Sequence, residues 1–408
     1  MVYIALLIIL LTDWYVFQAV KVIIKNWKHK RIISIVYWAL TVLIVLILIQ
    51  WRLFGPSLIN PSIQRYTIVF IFIDYLSKVF AVLLLLLDDG IRFVKWAKQK
   101  SSSKKINANT GKVIPRSEFL AKASIGAIAL PIATMGFGIA SGAYDYRVRR
   151  KRVVIPNLPK AFEGVKIGQL SDIHSGSFYN KVAVQGGIDL MRKEKPDIFM
   201  FTGDLVNNKT SEVSEYKDIF SKISAPLGAY STLGNHDYGD YNKWSSPKAK
   251  QQNLDDLVQV HKEMGWDLLR NENRFIEVDG ERIAILGVDN WGKGRFPKYG
   301  DLDKAYAGTE DVATKILLSH DPSHWDLQVR PNHPDIDLML AGHTHGFQFG
   351  VEIGNFRWSP SQYMYTQWAD LYTEENQHLY VNRGFGFLGY PGRVGILPEI
   401  TIIELVRS

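Results

Sequence analysis

The hydrophobic positions divide the chain into two parts with different patterns. The first part contains apolar stretches long enough to cross a bilayer as helices, at about Val2–Val20, Ile32–Phe54, Tyr66–Leu87 and Phe119–Ala143. After about residue 150, shorter apolar runs of strand length alternate with helical stretches such as Val182–Glu194 and Leu254–Met264. The chain therefore predicts an N-terminal all-α transmembrane segment followed by an α/β domain.

Composition and turn residues refine this division into four segments. We predict three transmembrane helices in residues 1–90, a basic linker at 91–117, a fourth membrane span or signal-like segment at 118–146, and the α/β domain at 150–408. The fourth segment is rich in Gly and Ala and contains Pro131, so it also resembles the apolar region of an export signal. The preceding segment Pro115–Lys122 is similar to a twin-arginine export motif that lacks one arginine.

Three ionisable residues, Asp13, Asp74 and Lys78, fall inside the predicted spans. Asp74 and Lys78 are four residues apart, so one helical turn would bring them together as an ion pair. A structural pair is the simpler interpretation, and a role in transport or sensing is the alternative.

Basic residues in the loops predict the orientation of the spans. The first loop carries Lys21, Lys25, Lys28, Lys30 and Arg31, and the third carries Arg92, Lys95, Lys98, Lys100, Lys104, Lys105, Lys112 and Arg116. The positive-inside rule places both loops in the cytoplasm, and the domain after the fourth span is then extracytoplasmic. A basic cluster at Arg147–Arg152 argues the other way. Because the formal charge of +8 comes largely from these loops, nucleic-acid binding is not expected.

Polar side chains suited to metal binding follow five predicted strands of the α/β domain. The runs are Ser171–His174, Gly203–Asp204, Gly234–Asp237, Ser319–Asp321 and Gly342–Gly346. Strand ends are the edge of an open α/β sheet at which ligands bind. Aspartate and asparagine oxygens mixed with several histidines suit Mn, Fe or Zn better than Mg or Ca. The absence of cysteine excludes thiolate metal sites, disulfides and a cysteine nucleophile.

The order SDIH, GD, GNHD, SHD, GHTH resembles the calcineurin-like metallophosphoesterase superfamily over about Val153 to Leu405. Its YkuE-like branch begins with a full version of the twin-arginine motif, so the chain resembles a membrane-anchored enzyme of this branch fused behind three extra spans. The resemblance implies a four-layer α/β sandwich with two divalent metal ions at the strand ends. It implies that one ion binds Asp172, His174, Asp204 and His345, and that the other binds Asp204, Asn235, His320 and His343. Asp204 would bridge the two ions.

The resemblance also implies a hydrolytic reaction. Two ions about 3.5–4 Å apart lower the pKa of a bridging water and stabilise charge on a phosphoryl group that this hydroxide attacks in line. His236 would stabilise charge or protonate the leaving oxygen. Asp237 would orient the His236 imidazole, with a helix-capping role as the alternative.

Aromatic residues are dense between His345 and the C-terminus, and they include Phe347, Phe349, Phe356, Trp358, Tyr363 and Tyr365. The glycine-rich run Arg383–Arg393 predicts a mobile surface loop near the metals. Its two arginines, Arg383 and Arg393, would bind substrate phosphate. For the aromatics, contact with substrate or membrane and plain packing are both open.

The leading interpretation is a membrane-anchored phosphodiesterase or pyrophosphatase that acts on a lipid-linked or cell-envelope substrate in contact with membrane lipids. A UDP-diacylglucosamine-type nucleotide-sugar pyrophosphatase is a specific alternative. A non-catalytic membrane receptor or transport subunit with a metal-binding domain is an alternative from another class, which the presence of both Asn235 and His236 disfavours.

Overall fold

The structure is a computed structural model that describes residues 2–55, 61–101, 117–294, 296–354 and 356–408. The chain divides into two compact units, Met1–Gly136 and Phe137–Ser408. The boundary falls in the last turns of the fourth apolar helix, so the second unit begins with the end of that helix.

Four helices are long and apolar enough to cross a membrane, as the sequence predicts. They are α1 (Val2–Ile24), α2 (Lys30–Phe54), α3 (Pro61–Ser101) and α4 (Glu118–Ala140). Their lengths exceed the roughly 20 residues that a bilayer requires.

The predicted linker at residues 91–117 is wrong in its first part, because α3 continues to Ser101. This extension holds good helix formers and no proline, so nothing in it ends the helix. Residues 102–116 of the predicted linker lie outside the described residues, as do the first two residues of the segment that resembles an export motif.

A buried polar network joins three helices of the first unit. Lys78 Nζ lies 2.6 Å from Asp74 and 2.7 Å from Asp13, so the predicted pair of Asp74 and Lys78 is confirmed and α1 adds a second carboxylate. Asp13 also accepts hydrogen bonds from Thr41 at 2.7 Å and Tyr75 at 2.8 Å. These contacts satisfy polar groups that would otherwise face an apolar medium.

The second unit contains fourteen strands and five further helices, together with short 3-10 and π turns, within the described residues. The strands are β1 (Arg147–Ile155), β2 (Lys166–Leu170), β3 (Ile198–Thr202), β4 (Ala229–Thr232), β5 (Asp267–Leu268), β6 (Glu272–Val278), β7 (Glu281–Gly287), β8 (Lys315–Leu318), β9 (Leu338–Ala341), β10 (Val351–Ile353), β11 (Phe356–Trp358), β12 (Asp370–Glu374), β13 (Gln377–Val381) and β14 (Glu399–Arg407). The helices are α5 (Lys181–Lys193), α6 (Lys217–Phe220), α7 (Pro247–Glu263), α8 (Leu302–Tyr306) and α9 (Arg330–Asn332).

Two six-stranded sheets form the centre of this unit, with strand orders β1-β14-β2-β3-β4-β5 and β12-β13-β9-β8-β7-β6. One apolar cluster contains side chains from both sheets, including Ile167, Met200, Ile316 and Leu340. Two others pack the outer faces of the sheets against helices. Helix, sheet, sheet and helix thus form the predicted four-layer sandwich.

The strand pairing brings the predicted motifs to common edges. β2, β3 and β4 are parallel neighbours in the first sheet, and β8 and β9 are parallel neighbours in the second. Parallel neighbours place their carboxyl ends at one edge of a sheet. Each of the five predicted motifs follows one of these five strands, four of them directly and Gly234–Asp237 after one residue.

The strand β1 has the sequence RVRRKRVVI, whose basic run is typical of the flank of a membrane span and does not predict a strand. It forms an edge of the first sheet beside β14. Its basic residues form ion pairs with acids of the same unit: Arg147 with Asp145, Arg149 with Glu352, Arg150 with Glu194, Lys151 with Asp370, and Arg152 with Glu404.

Candidate metal centre

All seven predicted ligands lie in the turns that follow β2, β3, β4, β8 and β9. They are Asp172, His174, Asp204, Asn235, His320, His343 and His345. Asp172, His174 and His320 are completely buried, and the side chain of His343 is 9% exposed. Ionisable groups buried to this extent require partners.

The donor atoms form two groups that share one carboxylate. In the first group, His345 Nε2 lies 3.2 Å from Asp172 Oδ1 and 3.1 Å from His174 Nε2. In the second, His320 Nε2 lies 3.3 Å from His343 Nδ1. Asp204 Oδ2 lies 3.4 Å from His174 Nε2 and 3.2 Å from His320 Nε2, so it stands between the two groups.

These separations fit a shared cation. Two donors that each lie about 2.1 Å from one ion are about 3.0–3.4 Å apart in octahedral or tetrahedral coordination. The distances between neighbouring donors, 3.1–3.4 Å, fall in this range. His320 Nε2 also lies 4.0 Å from Asp172 Oδ1, so Asp172 is close to the second group. The donor set therefore fits divalent ions.

The carboxamide of Asn235 gives an independent indication of a cation. Its Oδ1 atom is buried and has no hydrogen-bond partner in the described structure. Its Nδ2 atom donates a hydrogen bond of 2.9 Å to the Tyr241 hydroxyl, which fixes the orientation of the amide. A buried oxygen without a donor is unfavourable unless a cation approaches it. Tyr241 therefore presents this oxygen as a ligand.

Polar atoms outside the cluster contact the imidazole rings at the nitrogen that does not face the other donors. In three of the four predicted histidine ligands, the nitrogen that points away from the cluster meets an oxygen. His174 Nδ1 lies 3.1 Å from Asn207 Oδ1, and His320 Nδ1 lies 2.7 Å from the Thr202 carbonyl. His343 Nε2 lies 2.8 Å from the Tyr365 hydroxyl. Such partners set the tautomer and leave the other nitrogen to bind metal.

Backbone strain is concentrated at the same positions. Asp172, His174, Asp204, His343 and His345 have positive φ values of 51°, 49°, 61°, 69° and 50°. Non-glycine residues rarely adopt this left-handed conformation, which is found mainly at functional sites. Five of the seven predicted ligands thus have a backbone conformation that folding preferences alone would not select.

Two glycines allow the turns to approach closely. Gly203 has a φ of 93°, and a Cβ atom there would collide with the backbone nitrogen of Gly234. A Cβ atom at Gly342 would collide with Ser171 Oγ and Asp172 Oδ2. Glycine is therefore required where the β3 turn meets the β4 turn and where the second sheet meets the first.

The electrostatics of the cluster favour positive charge between the carboxylates. Burial by itself raises the pKa of a carboxyl, but the neighbouring imidazoles outweigh burial and lower the pKa of both Asp172 and Asp204. Burial lowers the pKa of an imidazole, yet Asp204 and Asp172 outweigh it at His320 and raise its pKa to about 10. Burial dominates at His174 and lowers its pKa to about 3. A bound cation and a proton on His320 are thus both stabilised by the carboxylates of Asp204 and Asp172, so binding of one disfavours the other.

His236 lies beside the donor cluster. Its backbone N–H donates a 2.9 Å hydrogen bond to Asp204 Oδ1, and its ring Nδ1 lies 2.8 Å from the Asn207 carbonyl. A carbonyl only accepts, so Nδ1 carries a proton and Nε2 is left for another partner. The ring packs 5.0 Å from that of His174 and 4.7 Å from that of Tyr241.

The prediction that Asp237 orients the His236 ring is wrong. Asp237 accepts hydrogen bonds of 2.8–3.2 Å from the backbone nitrogens of Asp204, Leu205, Val206 and Gly234. Its carboxylate therefore holds the β3 turn against the β4 turn. Its role is to support the backbone that presents Asp204, and the Asn207 carbonyl holds His236 instead.

The prediction of a mobile surface loop at Arg383–Arg393 is also wrong. Arg383 is fully buried and lies 2.7 Å from both Glu399 and Glu352. Arg393 is 1% exposed, donates to the carbonyls of Gly384 and Gly386, and lies 3.3 Å from His345 Nδ1. Phe385 and Phe387 are core residues. Gly384, Gly386 and Gly392 allow close packing, because a Cβ atom at each would collide with a neighbour. Neither arginine is exposed, so neither is placed to bind a substrate phosphate.

Sequence reasoning missed the residues that support the ligands. Asn207, Tyr241 and Tyr365 each hold a predicted ligand through one polar atom. Asn207 and Tyr241 follow motif residues by three and four positions, which is a weak signal. Tyr365 lies far along the chain from the β9 turn, and only the folded structure places it near His343.

Comparisons with known proteins agree with the fold. Residues 165–347 match the family model described as calcineurin-like phosphoesterase, and residues 1–143 match the one described as probable calcineurin-like phosphoesterase, transmembrane domain. All seven predicted ligands lie inside the phosphoesterase match. The chain thus combines a phosphoesterase transmembrane domain with a calcineurin-like phosphoesterase domain, and it is a metal-dependent phosphoester hydrolase.

Curated relatives support the same assignment, including the predicted YkuE-like branch. The uncharacterized metallophosphoesterase YkuE of Bacillus subtilis is 29% identical over 306 residues, which are 72% of this chain and 98% of YkuE. A transmembrane protein with metallophosphoesterase domain from Danio rerio is 28% identical over 67% of this chain, and the match spans 60% of that protein's own length. Phosphodiesterase YaeI of Escherichia coli is 28% identical over 59% of this chain and 82% of YaeI.

We predict that Tyr241→Phe weakens metal binding. Without the hydroxyl, the Asn235 amide loses the contact that fixes its orientation, and support of this kind contributes about 10–100-fold to metal affinity. The measurement is the metal concentration for half-maximal hydrolysis, together with direct titration of metal-free protein. Tyr299→Phe is the matched control, because the Tyr299 hydroxyl donates to Asp240 and not to a predicted ligand. Equal metal affinities in the two variants would contradict the role of Tyr241.

We also predict that Arg383→Met destabilises the second unit. The change removes the nearest cation from the buried Glu399 carboxylate and leaves Arg149, at 3.6 Å, as its remaining ion-pair partner. Breaking a buried pair in this way costs up to about 3–5 kcal/mol of unfolding free energy. Thermal unfolding of the full chain in detergent is the measurement, and adding Glu399→Gln should restore part of the loss. Arg282→Met, which removes a cation stacked on Phe275, is the control. An increased KM with unchanged stability would support substrate binding by Arg383 instead.

Proposed function

We propose that this protein hydrolyses phosphodiester or pyrophosphate bonds with two divalent metal ions, and that its substrate is a lipid-linked or cell-envelope compound. The observation that carries the proposal is the unpaired Asn235 Oδ1 beside the cluster in which Asp204 stands between two groups of histidines. Such a set of donors has no purpose in a domain that only needs to fold.

We propose that one ion is held by Asp172, His174, Asp204 and His345. The other is held by Asp204, Asn235, His320 and His343. Mixed oxygen and nitrogen donors favour Mn, Fe or Zn. When bound, such ions polarise a phosphoryl oxygen and lower the pKa of bound water.

His236 is the protein's own catalytic group in this proposal. The Asn207 carbonyl accepts from Nδ1–H, so Nε2 is the ring atom that can donate to the substrate when the ring carries a second proton. That donor stabilises negative charge on the phosphoryl group or gives its proton to the leaving oxygen. Asp237 acts at a distance, by fixing the backbone that presents Asp204.

Two observations support a diester or pyrophosphate on a lipid-linked molecule. The relative YaeI is named a phosphodiesterase. The four apolar helices confine the enzyme to the membrane, where a lipid-linked substrate is also confined. A UDP-diacylglucosamine-type nucleotide sugar belongs to this class and remains a specific candidate.

We propose that the catalytic domain is extracytoplasmic. The basic first and third loops favour this orientation by the positive-inside rule. The basic cluster after the fourth span, which argued against it, has a separate structural reason. All five of its side chains form ion pairs within the folded domain.

Asp204→Asn tests the metal proposal. The change removes the carboxylate charge that serves both groups, so hydrolysis of bis-p-nitrophenyl phosphate with added Mn should fall by at least about 100-fold. Asp189→Asn, on the exposed face of α5, is the control. Parental activity in Asp204→Asn would refute the assignment. A screen of monoesters, diesters, nucleotide sugars and phospholipids with different metals would define the substrate.

A reporter fused after Ser408 tests the orientation. We expect an alkaline phosphatase fusion to be active, because this enzyme folds outside the cytoplasm. We expect a green fluorescent protein fusion to be non-fluorescent, because this protein does not fold after it is exported unfolded. Fusions after Lys28, in the first loop, should give the opposite pair of results. A fluorescent fusion after Ser408 would place the domain in the cytoplasm.

A further inference from the structure

An apolar patch is exposed on the second unit beside the β9 turn. Its core is the hairpin of β10 and β11, in which Ile353 is 73% exposed and Phe356 is 61% exposed. Tyr363 and Met364, which follow the hairpin, are 76% and 66% exposed. The hairpin patch also includes Phe349 and Val351, which are exposed, and Trp358, which is half-buried. Contiguous exposed apolar side chains of this kind mark interaction sites.

The hairpin has its polar face inside and its apolar face outside. Cross-strand pairs share one face of a hairpin, and the pairs here are Val351 with Trp358, Glu352 with Arg357, and Ile353 with Phe356. The first and third pairs form the apolar face, and the middle pair forms the opposite one. A hairpin on a water-exposed surface normally has the reverse arrangement.

Buried ion pairs fix this orientation. Glu352 pairs with the buried Arg383 at 2.7 Å and also with Arg149 of β1. Arg357 pairs with Asp370 at 3.1 Å. Turning the hairpin over would leave Arg383 without one of its partners in the interior. The outward apolar face is therefore built into the fold.

The base of the hairpin lies next to the end of the fourth apolar helix. Gly138, in the candidate span Glu118–Tyr144, accepts a 3.2 Å hydrogen bond from the Arg393 backbone N–H. The next residue, Val394, exchanges backbone hydrogen bonds of 2.8 and 2.9 Å with Gln348 and Gly350 at the start of the hairpin. All these residues belong to the second unit.

We propose that the hairpin patch inserts into the interfacial region of the bilayer that α4 enters. A residue hydrogen-bonded to the end of a membrane span lies near the membrane surface, and Trp, Tyr and Phe are the residues that favour this region. The bilayer covers the apolar face, which nothing within the described part of the chain covers.

The patch also defines how a substrate reaches the site, and this step rests on the proposed function. The hairpin begins a few residues after His345, and Tyr365, one residue after Met364, contacts His343 at 2.8 Å. A phosphoester at the metal centre is then close to the bilayer interface. The substrate class is an amphiphile whose phosphate reaches His236 while its acyl chain stays in the membrane.

The absence of cysteine in the natural sequence allows a direct test. Ile353→Cys in the full chain is labelled with bimane and reconstituted in nanodiscs of phosphatidylcholine and phosphatidylglycerol with nitroxide-labelled acyl chains. The control is Phe275→Cys. Phe275 is 41% exposed on β6, and β6 lies at the opposite edge of the second sheet from β12, the strand that contacts the hairpin through Asp370. We expect at least about threefold stronger quenching at position 353, since nitroxides in acyl chains quench only labels within the bilayer.

Equal quenching at the two positions would overturn the proposal. Oxidation of unlabelled Ile353→Cys to a covalent dimer in high yield would also overturn it, because a second copy would then cover the patch. Hydrolysis of bis-p-nitrophenyl phosphate is measured on the parent and on both variants. An inactive parent with strong quenching at position 353 would refute the proposed function alone, and an active parent with equal quenching would refute the membrane contact alone.

Discussion

The structure of the site depends on the approach of two buried carboxylates, Asp172 and Asp204, in a region from which water is largely excluded. Like charges in a low-dielectric interior repel strongly unless positive charge lies between them. These carboxylates raise the pKa of His320, which lies 3.2 Å from Asp204, because a protonated imidazole supplies positive charge between them. A divalent cation would supply more positive charge at this position, and the surrounding imidazole nitrogen and amide oxygen atoms could complete its coordination.

Holding these groups together opposes the backbone's own preferences. Five of the predicted ligands have left-handed φ values, and the turns that carry them touch where only glycine fits, at Gly203 and Gly342. Asp237 contributes four backbone contacts that tie the β3 and β4 turns to each other. The packed sandwich supplies the free energy that keeps this strained arrangement in place.

A second electrostatic network organises the side of the domain near the membrane helix. Arg383 joins β14 through Glu399 and the β10–β11 hairpin through Glu352, and Arg149 of β1 contacts both of these acids. Charge is therefore concentrated inside, and apolar side chains are displaced to the surface. In a soluble protein this distribution would be unfavourable. In a chain whose fourth apolar helix ends beside the hairpin, the proposed contact with the bilayer would make this distribution favourable.

The sequence alone determined the four apolar helices, the alternation of strands and helices, and the five motifs that follow strands, because hydrophobic period and turn residues act locally. It also determined which side chains are suited to metal, since donor chemistry is a property of residue type. The tertiary structure decided which polar residues meet in one cluster, which support that cluster and which are structural. Tyr241 and Tyr365 became supports, and Asp237 and Arg383 became structural residues. The roles of Tyr365, Asp237 and Arg383 follow from contacts between segments distant in the chain, which no local pattern encodes. The contact of Tyr241 with Asn235, six residues away, depends on how the turn after β4 folds.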